Sequence, residues 1–174
     1  MRILVTGGVR SGKSMHAEAL LANALEVVYI APGSRADGCD PDWDSRVARH
    51  RARRPATWLT IETADVATAL SDIRCPVLVD CLGTWLTALM DREALWNTTT
   101  AEAHLAVEEP LDKLCAALAV LADAIVVTNE VGLGVVPAHR SGMLFRDLLG
   151  TINQRVANVC DEVHLLIAGR VLTL

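Results

Sequence analysis

The chain has 174 residues, of which 52% are hydrophobic, 21% charged and 3% aromatic, and its formal net charge is −5. A chain of this length buries about 70% of its unfolded surface, so a core of Val, Leu, Ile and Ala can form without a staple, and a disordered chain is excluded. The acidic balance argues against a general grip on nucleic acid. No apolar run reaches the roughly 18 residues of a membrane span and no secretory leader pattern opens the sequence, so a cytoplasmic protein with no membrane span is expected. The five cysteines (Cys39, Cys75, Cys81, Cys115, Cys160) are scattered without a C-x-x-C pair and are expected to be free thiols.

The first strand-like run, residues 3–6, leads into Gly7-Gly8-Val9-Arg10-Ser11-Gly12-Lys13-Ser14 and then a helical pattern over 13–25. This is G-x-x-x-x-G-K-S between strand and helix, the context the phosphate-binding loop requires. Its glycines let the backbone N–H groups wrap phosphate oxygens, Lys13 adds charge at the β/γ-phosphates, and Ser14 is the expected Mg²⁺ ligand. A second run, 27–30, is followed by Asp40-Pro41, an N-cap and a first-turn proline that predict a helix over 41–51.

That helix and the residues just after it carry Arg46, Arg49, Arg51, Arg53 and Arg54, five of the chain's fourteen arginines, around His50. Helical spacing puts Trp43 and Val47 on the face of His50, where they could anchor it. Two readings stand at this point. The segment is either a solvated basic face or partner patch, or a site where neutral imidazole attacks an α-phosphate while arginine forks stabilise the developing charge. His16, His104, His139 and His164 have no such surroundings and are read as structural or surface residues.

Strand 57–61 and a helical stretch over 63–72 precede the buried-strand pattern 77–80, which ends on Asp80. A carboxylate there is the expected second magnesium partner, a turn or cap aspartate being the alternative. Helical patterns over 84–90 and 101–122 lead to strand 125–128 and the loop Thr128-Asn129-Glu130-Val131-Gly132-Leu133-Gly134-Val135-Val136-Pro137. Its glycines at a strand end suit either a substrate loop or an ordinary connection. The N-K-x-D motif with which switch GTPases read guanine is missing there. A helix over 141–159 and strands 163–167 and 171–174 close the chain, the last two joined by Ala168-Gly169, too short for a parallel crossover and so an antiparallel hairpin. Alternating strands and helices, with the phosphate loop after the first strand, predict an α/β fold: a single P-loop NTPase domain over 1–174 whose mostly parallel sheet carries helices on both faces, with ligands at the strands' carboxyl ends.

These segments, with Arg146-Asp147 and Asn153-Gln154-Arg155, together resemble the bifunctional adenosylcobinamide kinase/adenosylcobinamide-phosphate guanylyltransferase family over essentially the whole chain. The resemblance implies phosphorylation of adenosylcobinamide by ATP or GTP, then transfer of GMP from GTP, through a guanylylated histidine, to adenosylcobinamide phosphate. By position His50 resembles the guanylylated residue, Gly7 to Ser14 the triphosphate loop, and Ala31, Pro32, Gly33, Arg51, Ala52, Arg53, Arg54, Glu62 and Asp80 the nucleotide-contacting positions. It further implies a RecA-like sheet and a homotrimer. The chain departs from common members in having Arg49-His50 where some carry two histidines, Asp80 where others carry Glu, and no hydroxyl residue in Ala31-Pro32-Gly33. The residues alone leave two other readings open, a plain small-molecule kinase and a nucleotide-dependent regulatory protein.

Overall fold

A computed structural model describes residues 1–33 and 40–174, except for the side chains of residues 43 and 46. The expected free thiol of Cys39 and the expected anchoring by Trp43 lie outside the described residues. Among those described, Cys75, Cys81, Cys115 and Cys160 are free.

All seven strand runs fold as strands of one sheet: β1 Arg2–Gly7, β2 Val28–Ala31, β3 Leu59–Glu62, β4 Val77–Asp80, β5 Ala124–Val127, β6 Glu162–Ile167 and β7 Arg170–Thr173. Their order is β3-β2-β4-β5-β1-β6-β7. The first six are parallel, and β7 returns antiparallel to β6 as the two-residue connection requires. Among the described residues six α-helices, α1 Lys13–Leu20, α2 Pro41–Arg53, α3 Val66–Leu70, α4 Leu82–Arg92, α5 Thr100–Ala119 and α6 Arg140–Ala157, join them.

Successive strand side chains point to opposite faces, and the two faces build separate cores. Leu4, Ile30, Val77, Val79 and Val126 pack with residues of α3 to α6 such as Val66, Leu86, Leu111 and Leu148. Ile3, Val5, Tyr29, Leu78 and Val127 form the other core, with Ala17 of α1 and with Leu21. Helices therefore lie on both faces of an α/β sheet, and each buried Leu or Ile contributes roughly 1.5–3 kcal/mol of transfer free energy.

Two helices fall short of their sequence patterns by five residues each. α1 ends at Leu20 because the N–H groups of Leu21 and Ala22 reach back only three residues, to Glu18 and Ala19, closing the end as a tight turn. α3 begins only at Val66, where the Asp65 carboxylate caps it by accepting from the Thr68 N–H at 3.2 Å.

The register pairs Val5 of β1 with Val127 of β5, and Val127 with Asp80 of β4. The carboxyl ends of three central strands are therefore level, with the Gly7 loop and Asp80 at the same edge and β5 between them. Ligands bind at this edge in open parallel sheets.

Candidate active site

The phosphate loop is shaped where Gly7 leaves β1. A Cβ on Gly7 would lie 2.4 Å from the Leu166 carbonyl oxygen, so only glycine fits against β6. Gly12, with φ 99°, takes the left-handed turn that starts α1. Two neighbours hold the loop from outside: the Gly169 N–H of the hairpin turn donates to the Ser11 carbonyl at 3.0 Å, and the Glu130 N–H donates to that of Gly7 at 3.0 Å. Lys13 is 8% exposed, and its ammonium donates to the Gly8 carbonyl at 2.6 Å.

Asp40 caps α2 as expected, its Oδ1 accepting from the Asp42 N–H at 3.0 Å. The helix lies along the loop's cleft, so His50 in its last turn lines the same space as Lys13, Ser14, Asp80 and Asn129. That cleft, of about 670 Å³, falls within the roughly 300–1,000 Å³ typical of ligand sites. The structure thus brings together residues about forty positions apart in sequence.

His50 Nδ1 lies 3.7 Å from Asp80 Oδ2 and 3.4 Å from an Arg53 Nη2. Asp80 does not cap α4, a role that falls to Cys81. The same Asp80 Oδ2 accepts from the Tyr29 hydroxyl at 2.9 Å. Burial, then the Asp80 charge, push the Tyr29 hydroxyl far above its ordinary range, so it remains a proton donor.

Two arginines of this segment are answered by carboxylates of the chain. Arg53 forks onto Glu18 of α1 at 3.0 and 3.2 Å. Arg51 pairs with Glu62, and Arg54 lies 3.3 Å above the Tyr29 ring centre while donating to the Thr60 hydroxyl at 3.1 Å. Glu18 and Glu62 therefore supply the counter-anions that so dense a basic cluster needs. A narrower recess beside the cleft is lined by Ala31, Gly33, Arg51, Arg54, Glu62 and Asp80, and His50 and Asp80 border both spaces. Of the expected contact residues, Pro32 is buried and Ala52 exposed, and neither lines the cleft or the recess.

The loop after β5 is tied to α6. Thr128 donates to Asn153 Oδ1 at 2.6 Å, Asn153 Nδ2 donates to the Asn129 carbonyl at 3.0 Å, and Arg146 donates to the Gly132 carbonyl at 2.8 Å. Asn153 and Arg146 thus hold the loop in place.

Three groups escaped the sequence reading. Tyr29 carried a signal as the chain's one tyrosine, set in an aliphatic strand. Glu18 looked like an ordinary helix-surface acid. His16 and His164, remote in sequence, meet: His16 Nε2 is 2.9 Å from His164 Nδ1, and His164 Nε2 is 2.9 Å from Glu162 Oε2. Burial, then His164, hold the His16 pKa below its ordinary value.

A family model described as cobinamide kinase / cobinamide phosphate guanyltransferase matches residues 3–174. The bifunctional adenosylcobalamin biosynthesis protein CobU of Salmonella typhimurium is 38% identical over 183 residues, covering 97% of each chain. CobP of Pseudomonas aeruginosa, with the same description, is 40% identical and covers 97% of this chain and 94% of its own. Among solved structures, a chain described as a prototypical ATPase from the type III secretion system of pathogenic bacteria aligns with a TM-score of 0.59 at 15% identity. That alignment covers 95% of this chain and 52% of the other, and it speaks for the fold alone.

Proposed function

Because the chain belongs to the cobinamide kinase / cobinamide phosphate guanyltransferase family, we propose that it phosphorylates adenosylcobinamide with ATP or GTP and then guanylylates the product through His50. The observation that carries this reading is the cleft shared by Lys13 of the phosphate loop and His50 of α2. A kinase needs the first residue alone. A nucleotidyltransferase with a covalent intermediate needs a nucleophile within reach of the α-phosphate as well.

In the kinase step, the loop N–H groups from Gly8 to Ser14 hold the triphosphate, and Lys13 leaves its bond to Gly8 to meet the β/γ-oxygens. The acceptor's hydroxyl then attacks the γ-phosphate. In the guanylyl step, His50 attacks the α-phosphate, pyrophosphate leaves, and the phosphate of adenosylcobinamide phosphate takes GMP from the imidazole. Arg53 and Arg49 line the wall where charge develops. Ala31, Gly33, Arg51, Arg54 and Glu62 border the adjoining recess and are the proposed contacts for the rest of the nucleotide.

A hydroxyl and a carboxylate at one cleft are hard oxygen donors of the kind Mg²⁺ takes, so Ser14 and Asp80 fit that ion. Bound there, it would neutralise phosphate charge. We extend the reading to one P-loop domain over residues 1–174 acting as a homotrimer in the cytoplasm. The resemblance supports the trimer, and no described helix is long and apolar enough to cross a membrane.

The test is incubation with Mg²⁺ and GTP labelled at the α- or γ-phosphate, followed by denaturation. Retained, acid-labile and alkali-stable label from α-labelled GTP alone is expected. Wild-type protein that binds GTP yet retains no label would overturn the guanylyltransferase half and leave a plain kinase.

A further inference from the structure

The hydrogen-bond ladder between β1 and β5 runs on past the end of β5. The Thr128 N–H donates to the Val5 carbonyl at 2.9 Å, and the Glu130 N–H donates to that of Gly7 at 3.0 Å. In a parallel pair this pattern sets residue 129 level with residue 7, so Asn129 stands beside the first glycine of the phosphate loop, one strand spacing of about 4.8 Å away. The Asn129 carbonyl also accepts from Asn153 Nδ2 at 3.0 Å. Its place beside the loop is therefore fixed by the protein's own backbone and side chains.

The two ends of the Asn129 amide have different surroundings. Oδ1 accepts from the Cys81 thiol, with sulfur at 3.7 Å, and a Cβ at Gly83 would lie 2.8 Å from it. Cys81 is the N-cap of α4, and Gly83 belongs to its first turn. A helix N-terminus carries partial positive charge, so the amide oxygen and not the NH₂ group belongs there. Nδ2 keeps two N–H donors and has no hydrogen-bond partner among the described residues, while Asn129 lines the cleft with Lys13 and Ser14.

A phosphate loop cradles the α/β-phosphates with its N–H groups, and its lysine reaches the β/γ pair. The γ-phosphate then stands clear of the loop backbone, with oxygens that need donors from elsewhere. From the loop the cleft extends over β5 to β4, lined by Val127, Asn129, Asp80 and Cys81. We propose that Asn129 reads the γ-phosphate in the kinase step: its Nδ2 donates to a γ-oxygen of the bound triphosphate, and the Cys81–Gly83 niche holds the amide in the orientation this needs. The inference rests on the proposed kinase reaction at the phosphate loop. A diphosphate has no γ-oxygen to offer Nδ2, so Asn129 favours the phosphoryl donor over its spent product. As a neutral donor it adds this selectivity without competing with Lys13 for the charge of the β-phosphate.

The test uses the full chain with Mg²⁺ and the α,β-methylene analogues of GTP and GDP, neither of which can pass GMP to a histidine. In isothermal titration, Asn129→Ala should bind the triphosphate analogue about tenfold or more weakly, the effect of losing one hydrogen bond to a charged group, and the diphosphate analogue within about twofold of wild type. Unchanged diphosphate binding also shows that the variant is folded and its loop intact. Separately, in protein labelled with ¹⁵N at the asparagine side chains, the NH₂ resonance missing from Asn129→Ala identifies Asn129. Its proton signal should lie downfield in the triphosphate complex of the wild type relative to the diphosphate complex, as a proton donated to a phosphate oxygen does. Equal weakening of both analogues, triphosphate affinity at the wild-type level, or an NH₂ signal alike in the two complexes would overturn the inference. Wild-type protein that transfers no γ-phosphate to adenosylcobinamide would instead overturn the reading beneath it.

Discussion

His50 Nδ1 stands 3.7 Å from Asp80 Oδ2, joining the last turn of α2 to the carboxyl end of β4. Because both also border the phosphate-loop cleft, the proposed nucleophile and the phosphate loop line one cavity. The two half-reactions should nevertheless separate by mutation. His50→Ala is expected to lower formation of the α-labelled adduct by about 10³-fold or more, as loss of a covalent nucleophile does. Transfer of γ-phosphate to adenosylcobinamide should persist, since that step has no use for the imidazole. Parallel assays with the two labels check this, and equal loss of both would assign His50 to nucleotide binding.

Lys13 gives the complementary result. Its ammonium donates to the Gly8 carbonyl at 2.6 Å within the loop and would exchange that neutral partner for phosphate oxygens. A hydrogen bond between charged groups contributes about 1.5–3 kcal/mol, so Lys13→Ala should weaken GTP binding roughly 10- to 150-fold and lower both activities together. Isothermal titration with GTP and Mg²⁺ measures the first effect. Affinity at the wild-type level would mean that the loop does not hold the triphosphate.

What the sequence disclosed and what it hid differ in range. The strands were legible because each is a short β-branched run, and the loop because Gly7 to Ser14 are contiguous. The cap at Asp40 and the hairpin at Ala168-Gly169 were legible for the same reason, being decided within a few residues. Hidden were contacts across the chain: the Glu18 and Glu62 carboxylates that answer Arg53 and Arg51, the Tyr29 hydroxyl beneath Asp80, and the meeting of His16 with His164. His50 lay between, since its arginine-rich setting was visible while its reach to the cleft depended on where α2 packs. Arg146 and Asn153 carried the family resemblance, but only the fold reveals that they fasten the loop after β5.

The glycines of the loop are not equivalent. A Cβ at Gly7 would press to 2.4 Å on the Leu166 carbonyl oxygen and 2.9 Å on Ser11 Oγ, whereas one at Gly8 would meet nothing within 4 Å. Overpacking against a backbone atom costs about 1–3 kcal/mol, or about 2–10 °C in Tm for a chain of this size. Gly7→Ala should therefore melt lower by that amount, and Gly8→Ala should melt like the wild type. Thermal unfolding followed by circular dichroism decides it, and equal melting of the two variants would contradict the close approach of β1 to β6.

The edge of the sheet carries a pH-dependent clamp. Arg2 donates through its backbone N–H and through Nη2 to Asp161, each at 2.7 Å, tying β1 to the turn before β6. The Arg2 side chain, and next its backbone N–H, lower the Asp161 pKa from 3.8 to about 2. A carboxyl whose pKa is lower folded than unfolded binds fewer protons in the native state, so its contribution is present above about pH 4 and is lost as pH falls toward 2. Asp161→Asn should therefore melt below the wild type at pH 6, and the gap should close as acid protonates Asp161 in the wild type. The Asp161 side chain is 42% exposed, so added salt should narrow the gap at pH 6 as well. Melting curves of the two proteins between pH 2 and 6 test this, and a gap of constant size would show that Asp161 acts through shape and not through charge.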